Sequence, residues 1–240
     1  MIITSDIGYI KGVVEKRSAV FIYRGIVDVD TLLRYYPRKY LDFKNYVSVV
    51  GAPIEEYCCI KAKVVTKITE HRIRKNMVVY KFSAADDTGV LDITVWNNKY
   101  IYNTINPHQE YLFYGKVTGG FTRKQMSAPI IKTIDNNEII PIYTAIENVS
   151  SASLKNIIKN ALDSVELDEP LPKEILDKYD LLNIRDAISQ IHFPKCQLEV
   201  DKARKRLAFE ELLTLQLGMA MRKSINRSKV GTIIEHDYSN

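Results

Sequence analysis

The chain has 240 residues, 46% hydrophobic and 26% charged, with a formal net charge of +5. That composition suits one or two globular domains and excludes global disorder. The longest uncharged apolar run, Leu212 to Met221, has ten residues and contains Gln216, well short of the roughly 18 that a membrane span needs.

The first 50 residues carry 8 Lys/Arg against 5 Asp/Glu, residues 51–145 carry 12 against 9, and residues 146–240 carry 14 against 15. The basic surplus therefore lies ahead of residue 146, and it permits contact with a polyanion without requiring one. Three cysteines, two of them adjacent (Cys58, Cys59), make no disulfide framework and fit a reducing compartment. Met1–Asp6 has neither the basic nor the apolar region of a secretory signal, so the expected location is cytoplasmic.

In chain order, residues 8–46 read as mostly helical. Leu32-Leu33 leads into Tyr35-Tyr36-Pro37, where proline disfavours a helical Tyr36 and stops the helix. Arg38 to Asp42 then leads out extended. A β-rich run opens at Cys58 and closes at Val64-Val65. The basic stretch His71-Arg72-Ile73-Arg74-Lys75-Asn76 reads as a charged hairpin loop. Val78, Tyr80 and Phe82 alternate with Val79, Lys81 and Ser83, the period of two of a half-buried strand. Asp86-Asp87-Thr88-Gly89 is a turn, and Leu91, Ile93 and Val95 mark the next strand. Asn97–Ile105 is a short helix ended near Pro107. Tyr111–Val117 is a strand broken by Gly119-Gly120, and a last strand runs from about Gln125 to Ile131. Five short strands with a helix between the third and fourth match an OB-fold, a small barrel that offers one face and its loops to oligonucleotides.

The tail is helical. Ser150 or Ser151 caps a helix carrying Leu154, Ile157, Ile158, Ala161 and Leu162. Pro170 and Pro172 break it, short helices follow at Ile175–Leu181 and Ile184–Ile191, and an amphipathic helix runs from about Val200 to Arg222. The expected architecture is α+β: an N-terminal helical segment over 1–50, a five-stranded OB-fold barrel over 51–145, and a C-terminal helical region over 146–240.

No catalytic constellation emerges, so the chain is expected to do no covalent chemistry and to hold no cofactor or metal. Gly115-Lys116 fails as a phosphate loop, having Glu110 where the first glycine belongs and Val117 where the Ser/Thr belongs. His71, His108, His192, His236 and Cys196 lack zinc-ligand spacing. Cys58 and Cys59 point to opposite faces of a strand, and Asp86-Asp87 beside Thr88-Gly89 reads as a turn before a metal site.

The only tryptophan is the most informative residue. Trp96 shares a face with Asp92 and Thr94, out of phase with the apolar set, and Tyr100 lies one helical turn on. Such an aromatic either packs under the barrel helix or is offered to a base, since exposed aromatics on this fold stack nucleobases. The basic stretch with Arg72, Arg74 and Lys75, and the loop Phe121-Thr122-Arg123-Lys124, take the places of the first–second and fourth–fifth strand loops. Both are expected on the rim of the nucleic-acid groove.

Four stretches together resemble the non-motor N-terminal part of the RecG family of bacterial branched-DNA helicases. The first is Leu32-Leu33-Arg34-Tyr35-Tyr36-Pro37-Arg38-Lys39-Tyr40-Leu41-Asp42, like "LLxxxPRxYxD". The second is Asp86-Asp87-Thr88-Gly89 followed by Trp96-Asn97-Asn98-Lys99-Tyr100, like "DGTG" and "FNxxY". The third is Ile140-Pro141-Ile142-Tyr143, like "xPVY". The fourth is Ile191-His192-Phe193-Pro194 and then Ala203-Arg204-Lys205-Arg206-Leu207-Ala208-Phe209-Glu210-Glu211-Leu212, like "IHFP" and "ARxRLAFEELL".

The resemblance implies a wedge at the junction of a replication fork or Holliday junction, acting in recombination and DNA repair in the bacterial cytoplasm near the nucleoid. It places Trp96 where the family has a base-stacking phenylalanine and Tyr100 at a second aromatic. Phosphate contacts are expected from Arg72, Arg74, Lys75, Lys99, Arg123 and Lys124. The ATP- and Mg²⁺-binding motor of the family would follow this chain, which is read as a monomeric N-terminal piece of a longer protein ending in a polar stretch at Asn240. A second reading has the groove dock the acidic tail of single-stranded-DNA-binding protein. A third, an RNA- or tRNA-binding OB module, is disfavoured by the tail motifs.

Overall fold

A computed structural model describes residues 2–136 and 138–228; His236 and the polar terminus at Asn240 lie outside them. The chain begins with a 3₁₀ turn at Ile7–Tyr9, then α1 (Glu15–Tyr23) and α2 (Val29–Leu33), followed by short strands β1 (Lys39–Asp42) and β2 (Tyr46–Val47). Helix therefore occupies less of residues 8–46 than expected. Gly25, at φ 77°, ends α1. An Asp28–Thr31 capping box starts α2, and the chain is extended soon after Pro37.

The barrel follows as β3 (Tyr57–Val64), β4 (Thr69–Arg74), β5 (Met77–Ala85), β6 (Val90–Trp96), α3 (Ile101–Thr104), β7 (Glu110–Gly119) and β8 (Arg123–Ser127). Its strand order is β3-β5-β6-β8-β7, closed by pairing of β7 with β3. All these neighbours are antiparallel except β6 and β8, which is the five-stranded OB-fold closure. Phe82, Leu91, Ile93, Phe113, Val117 and Met126 fill the interior, and Ile101 and Ile105 of the α3 segment pack into the same cluster.

Two expectations are corrected. Residues 71–74 are strand rather than loop, because β4 extends the first hairpin and pairs with β5 from Thr69↔Lys81 to Arg74↔Met77. Both faces of β4 are exposed, so no apolar alternation marks it. The last expected strand is two: Ala128 adopts φ 50°, so β8 stops at Ser127 and β9 (Ile130–Thr133) pairs separately with the first half of β7.

The turn at 86–89 is closed by one carboxylate. Asp86 accepts from the Val49, Thr88 and Gly89 amides at 2.8, 2.8 and 2.9 Å and from Thr88 Oγ1 at 2.7 Å. Burial raises its pKa, but these donors outweigh it and hold the carboxyl below the ordinary range. Gly89 is required, since a Cβ there would lie 2.5 Å from the Thr122 carbonyl oxygen.

Strand β10 (Ile139–Ile142) pairs with β1. Then come α4 (Ser151–Ser164), capped by Ser150, and α5 (Lys173–Tyr179), α6 (Ile184–His192) and α7 (Gln197–Ser228). The two flanking segments share one core: Phe21, Val29 and Leu32 pack with Ile158, Ile188 and Ala203. A small cluster of Leu41, Phe43, Cys59 and Leu112 fastens β1 to the outside of the barrel. Burial among them pushes the Cys59 thiol up to about 12. Beyond Glu210, α7 turns to solvent, and Leu212, Leu215, Leu217, Met219 and Met221 are each more than half exposed.

His192, 0% exposed, joins the parts. One ring nitrogen, Nε2, lies 2.8 Å from the Leu33 carbonyl oxygen, and Nδ1 lies 3.0 Å from the Tyr143 hydroxyl. A neutral ring satisfies both, donating to Leu33 and accepting from Tyr143. Burial lowers its pKa to about 4, opposed by the bond to Leu33. The unfolded chain therefore takes up a proton before the folded one does, and stability falls as pH drops from about 6.5 to 4, by about 3 kcal/mol at most. Urea unfolding across that window should show the fall in the wild type and a flatter profile in His192→Gln. Identical profiles would place the titration elsewhere.

Candidate nucleic-acid interface

The outward side chains of the barrel follow from strand alternation. Asp92, Thr94 and Trp96 form one row on β6, beside Ser83 and Lys81 on β5 and Gln125 and Ser127 on β8, in the register Ser83–Asp92–Gln125 and Lys81–Thr94–Ser127. With Thr66, Lys67 and Thr69 these rows line a polar groove of about 450 Å³ across the front of the sheet.

Trp96 ends its row and is 41% exposed, so the barrel helix does not cover it. Its strand partner is Val79, whose partner on β4 is His71, which sets His71, Val79 and Trp96 across three strands on one face. The chain then turns away: Asn97 adopts φ 50°, while its side chain accepts from the Val78 amide and its own amide donates to the Val78 carbonyl, both at 2.9 Å. Tyr100 follows at the start of α3, 78% exposed, and Lys99 beside it is exposed. Tyr102 differs in role, packing edge-on against Tyr80 with centroids 5.6 Å apart.

The expected cations divide sharply. Arg72, Arg74, Lys75 and Lys99 are exposed and carry no ion pair among the described residues. Arg72 is registered with Val78, so it faces away from His71 and Trp96. Arg123 is exposed, but its Nε and Nη2 donate to both oxygens of Asp92, at 2.6 and 3.1 Å. That pairing, with a bond from Ser83 and against burial, holds the Asp92 carboxyl below its usual range.

Lys124 is not on the surface at all. It is 2% exposed, and its ammonium donates to the carbonyl oxygens of Val50, at 3.0 Å, and Ala52. As a phosphate contact it is therefore corrected: it braces the 50–52 segment from inside.

The two basic stretches also do not share a rim. Arg74 and Met77 lie at the Trp96 end of β6, whereas Arg123 is registered with Val90 at the other end. Six strand residues separate these ends, about 20 Å, and the groove runs between them. Sequence reasoning missed two residues here, Lys67 and Lys81, which line the groove; of the residues it placed in the two loops, His71 shares the Trp96 face and Phe121 is 71% exposed at the far loop. For Lys81 the signal was available, since it alternates with Tyr80 and Phe82.

The described residues offer no phosphate cradle at Gly115-Lys116. That pair lies inside β7, where Lys116 bonds Glu55 at 2.6 Å, so a nucleoside triphosphate does not fit there. No cluster of metal-ligating side chains occurs among the described residues. No helix among them is long and apolar enough to cross a membrane.

A closed five-stranded barrel with an exposed aromatic, unpaired cations beside it and a helical unit behind defines a domain of the OB-fold class, a fold that presents such a face to oligonucleotides and oligosaccharides. The RecG wedge domain family matches residues 6–165, and the chain belongs to that family. Curated relatives include "ATP-dependent DNA helicase RecG" of Streptococcus pneumoniae, 30% identical over 90% of this chain and 32% of the relative, and that of Thermotoga maritima, 28% identical over 90% and 29%. A solved structure described as RecG bound to a three-way DNA junction superposes with a TM-score of 0.71, at 26% identity, over 95% of this chain and 32% of that one. The chain thus spans about a third of the length of these relatives.

The contrast among the cations is testable. Lys124→Gln should lower stability by about 1–3 kcal/mol, the cost of two buried carbonyls losing a charged donor, and leave the salt dependence of DNA binding unchanged. A flatter salt dependence would return Lys124 to the phosphate path.

Proposed function

We propose that this chain is the branched-DNA-binding wedge of a RecG-type, ATP-dependent DNA helicase acting at replication forks and Holliday junctions in recombination and DNA repair. One observation carries the reading: Trp96, out of phase with the barrel core, ends β6 exposed, with Tyr100 beyond it and the unpaired cations of β4 at the same end of the sheet. Trp96 stacks on the exposed base pair at the branch, helped by Tyr100, while Arg72, Arg74, Lys75 and Lys99 hold phosphates of the arms. ATP and Mg²⁺ belong to a motor outside these residues, and this chain alone gives no DNA-stimulated ATP hydrolysis. It works as a monomer in the bacterial cytoplasm, close to the nucleoid.

A protein-docking reading uses the same front face. Lys67 and Lys81 line the groove without ion pairs among the described residues, and the acidic tail of single-stranded-DNA-binding protein would meet them there. Competition between that peptide and forked DNA separates exclusive from shared occupancy.

Base stacking contributes about 1–3 kcal/mol per base, so Trp96→Ala should weaken binding to forked DNA by that amount and leave plain duplex nearly unaffected. Equal losses on both substrates would remove the stacking role. Charge reversal at Arg72, Arg74 and Lys75 together should flatten the plot of log K against log salt by about 0.9 for each phosphate that is no longer neutralised. An unchanged slope would take β4 off the phosphate path.

A further inference from the structure

The groove between the two ends of the β6 face carries Lys67 and Lys81 on one side and Arg123 on the other, with Asp92 on its floor. A carboxylate is an unexpected floor for a polyanion groove, and this one is held firmly. Both Asp92 oxygens accept from the Arg123 guanidinium, at 2.6 and 3.1 Å, and Oδ1 also accepts from Ser83 Oγ at 2.7 Å. Asp92 is partly buried, whereas the Arg123 side chain is 68% exposed. The guanidinium thus lies over the groove with its fork turned down onto protein. The loop that carries it is fixed as well: the Val90 amide donates to the Thr122 carbonyl, Gly120 donates to the Arg123 carbonyl, and a Cβ at Gly89 would collide with Thr122.

We infer that Asp92 is a specificity-determining residue that keeps Arg123 out of phosphate contact, so that the groove end remote from Trp96 grips nucleic acid weakly and the Trp96 end decides where the chain settles. The inference deepens the branched-DNA reading and rests on it. A bidentate guanidinium–carboxylate pair satisfies both partners with matched geometry. A phosphate would have to replace two charge-assisted bonds and then sit beside the uncovered carboxylate, which repels it. Without Asp92, Arg123 would neutralise one further phosphate, whatever the sequence, beside position 92 and so about 13 Å from Trp96 by strand rise, and unbranched strands lying along the groove would gain as much as forks.

The test measures salt dependence on an unbranched single-stranded oligonucleotide and on forked DNA, using the full chain. Asp92→Asn should steepen the slope of log K against log salt by about 0.7–0.9, one more phosphate neutralised, and narrow the preference for forks. Asp87→Asn, which removes the same charge from the exposed turn outside the groove, should leave the slope as in the wild type. Arg123→Gln is a surface change that the barrel does not need for folding. Alone it would bare the Asp92 carboxylate, so it is read in the Asp92→Asn background, where it should return the slope to the wild-type value. Thermal melting of each variant checks that the fold is retained.

An unchanged slope in folded Asp92→Asn, or a slope in the double variant below the wild-type value, would overturn the inference, the latter because Arg123 would already be holding a phosphate in the wild type. A steeper slope in Asp92→Asn that Arg123→Gln reverses, from a chain that never preferred forks, would uphold the latch while rejecting the branched-DNA reading.

Discussion

The joint between the chain's flanking segments centres on one buried neutral imidazole. His192 ends α6, accepts from a tyrosine that follows β10, and donates to the last carbonyl of α2, so three distant stretches of chain meet on one ring. Tyr143 stacks on it with centroids 5.8 Å apart and an interplanar angle of 20°, and Tyr35 stacks on Tyr143 in turn. Charging the ring would leave a buried cation hydrogen-bonded to no carboxylate among the described residues, and burial drives its pKa down. A second tie lies beside the first. Arg206, fully buried, bonds Glu169 and Glu210 at 2.7 Å each, and Glu210 also takes Arg34 of the α2 end at 3.2 Å. Glu169 accepts the Ile184 amide at the start of α6 as well. Removing either partner of such a buried pair strands a charge in the core.

These ties explain how a barrel can hold its outer face at a fixed angle to a helical unit. The barrel meets the rest mainly through β1, where Leu41 and Phe43 pack on Cys59 and Leu112, and β1 is hydrogen-bonded to β10. Strand β10 runs directly into Tyr143. Tyr40, on β1, donates to the Ile191 carbonyl at 2.6 Å, one residue before His192. The route from barrel to helices is thus a short series of hydrogen bonds and ring contacts.

Much of this was legible in the sequence, for a specific reason. Strands β5 and β6 face a core on one side and solvent on the other, so alternation marks them and places Trp96 correctly out of phase. Strand β4 has solvent on both sides and carries no such mark; its existence depends on its register with β5, a tertiary fact. Ala128 turns the chain with a positive φ without the glycine that would have announced it. Lys124 shows a different failure, because its parity with Met126 already put it on the inner face and its charge argued against that reading. The deciding partners, the Val50 and Ala52 carbonyls, lie more than seventy residues away. The Asp92–Arg123 pair spans β6 and β8, neighbours in the sheet that α3 and β7 separate in sequence, so the candidate interface could be named as residues but not as charges already matched.

The stretches that resemble the family sort by physical role. His192 and Tyr143, with Leu33, build the joint. Arg206, Glu210 and Arg34 build the second tie, and Asp86 with Gly89 closes the turn that seats the far loop. Only the segment from Trp96 to Tyr100 faces solvent with its aromatics unengaged by core. A wedge that parts strands by stacking must resist the load it meets, since an aromatic on a yielding support would move with the base rather than divert it. The sequence places one short aromatic segment at the end of a barrel strand and most of its remaining recognisable stretches in the scaffold behind it. Under the proposed stacking role, load on Trp96 would pass along β6 into the closed barrel, through β1 and β10, and across the His192 ring into α6 and α7, so the ties behind the aromatic would matter to that role as much as its surface does.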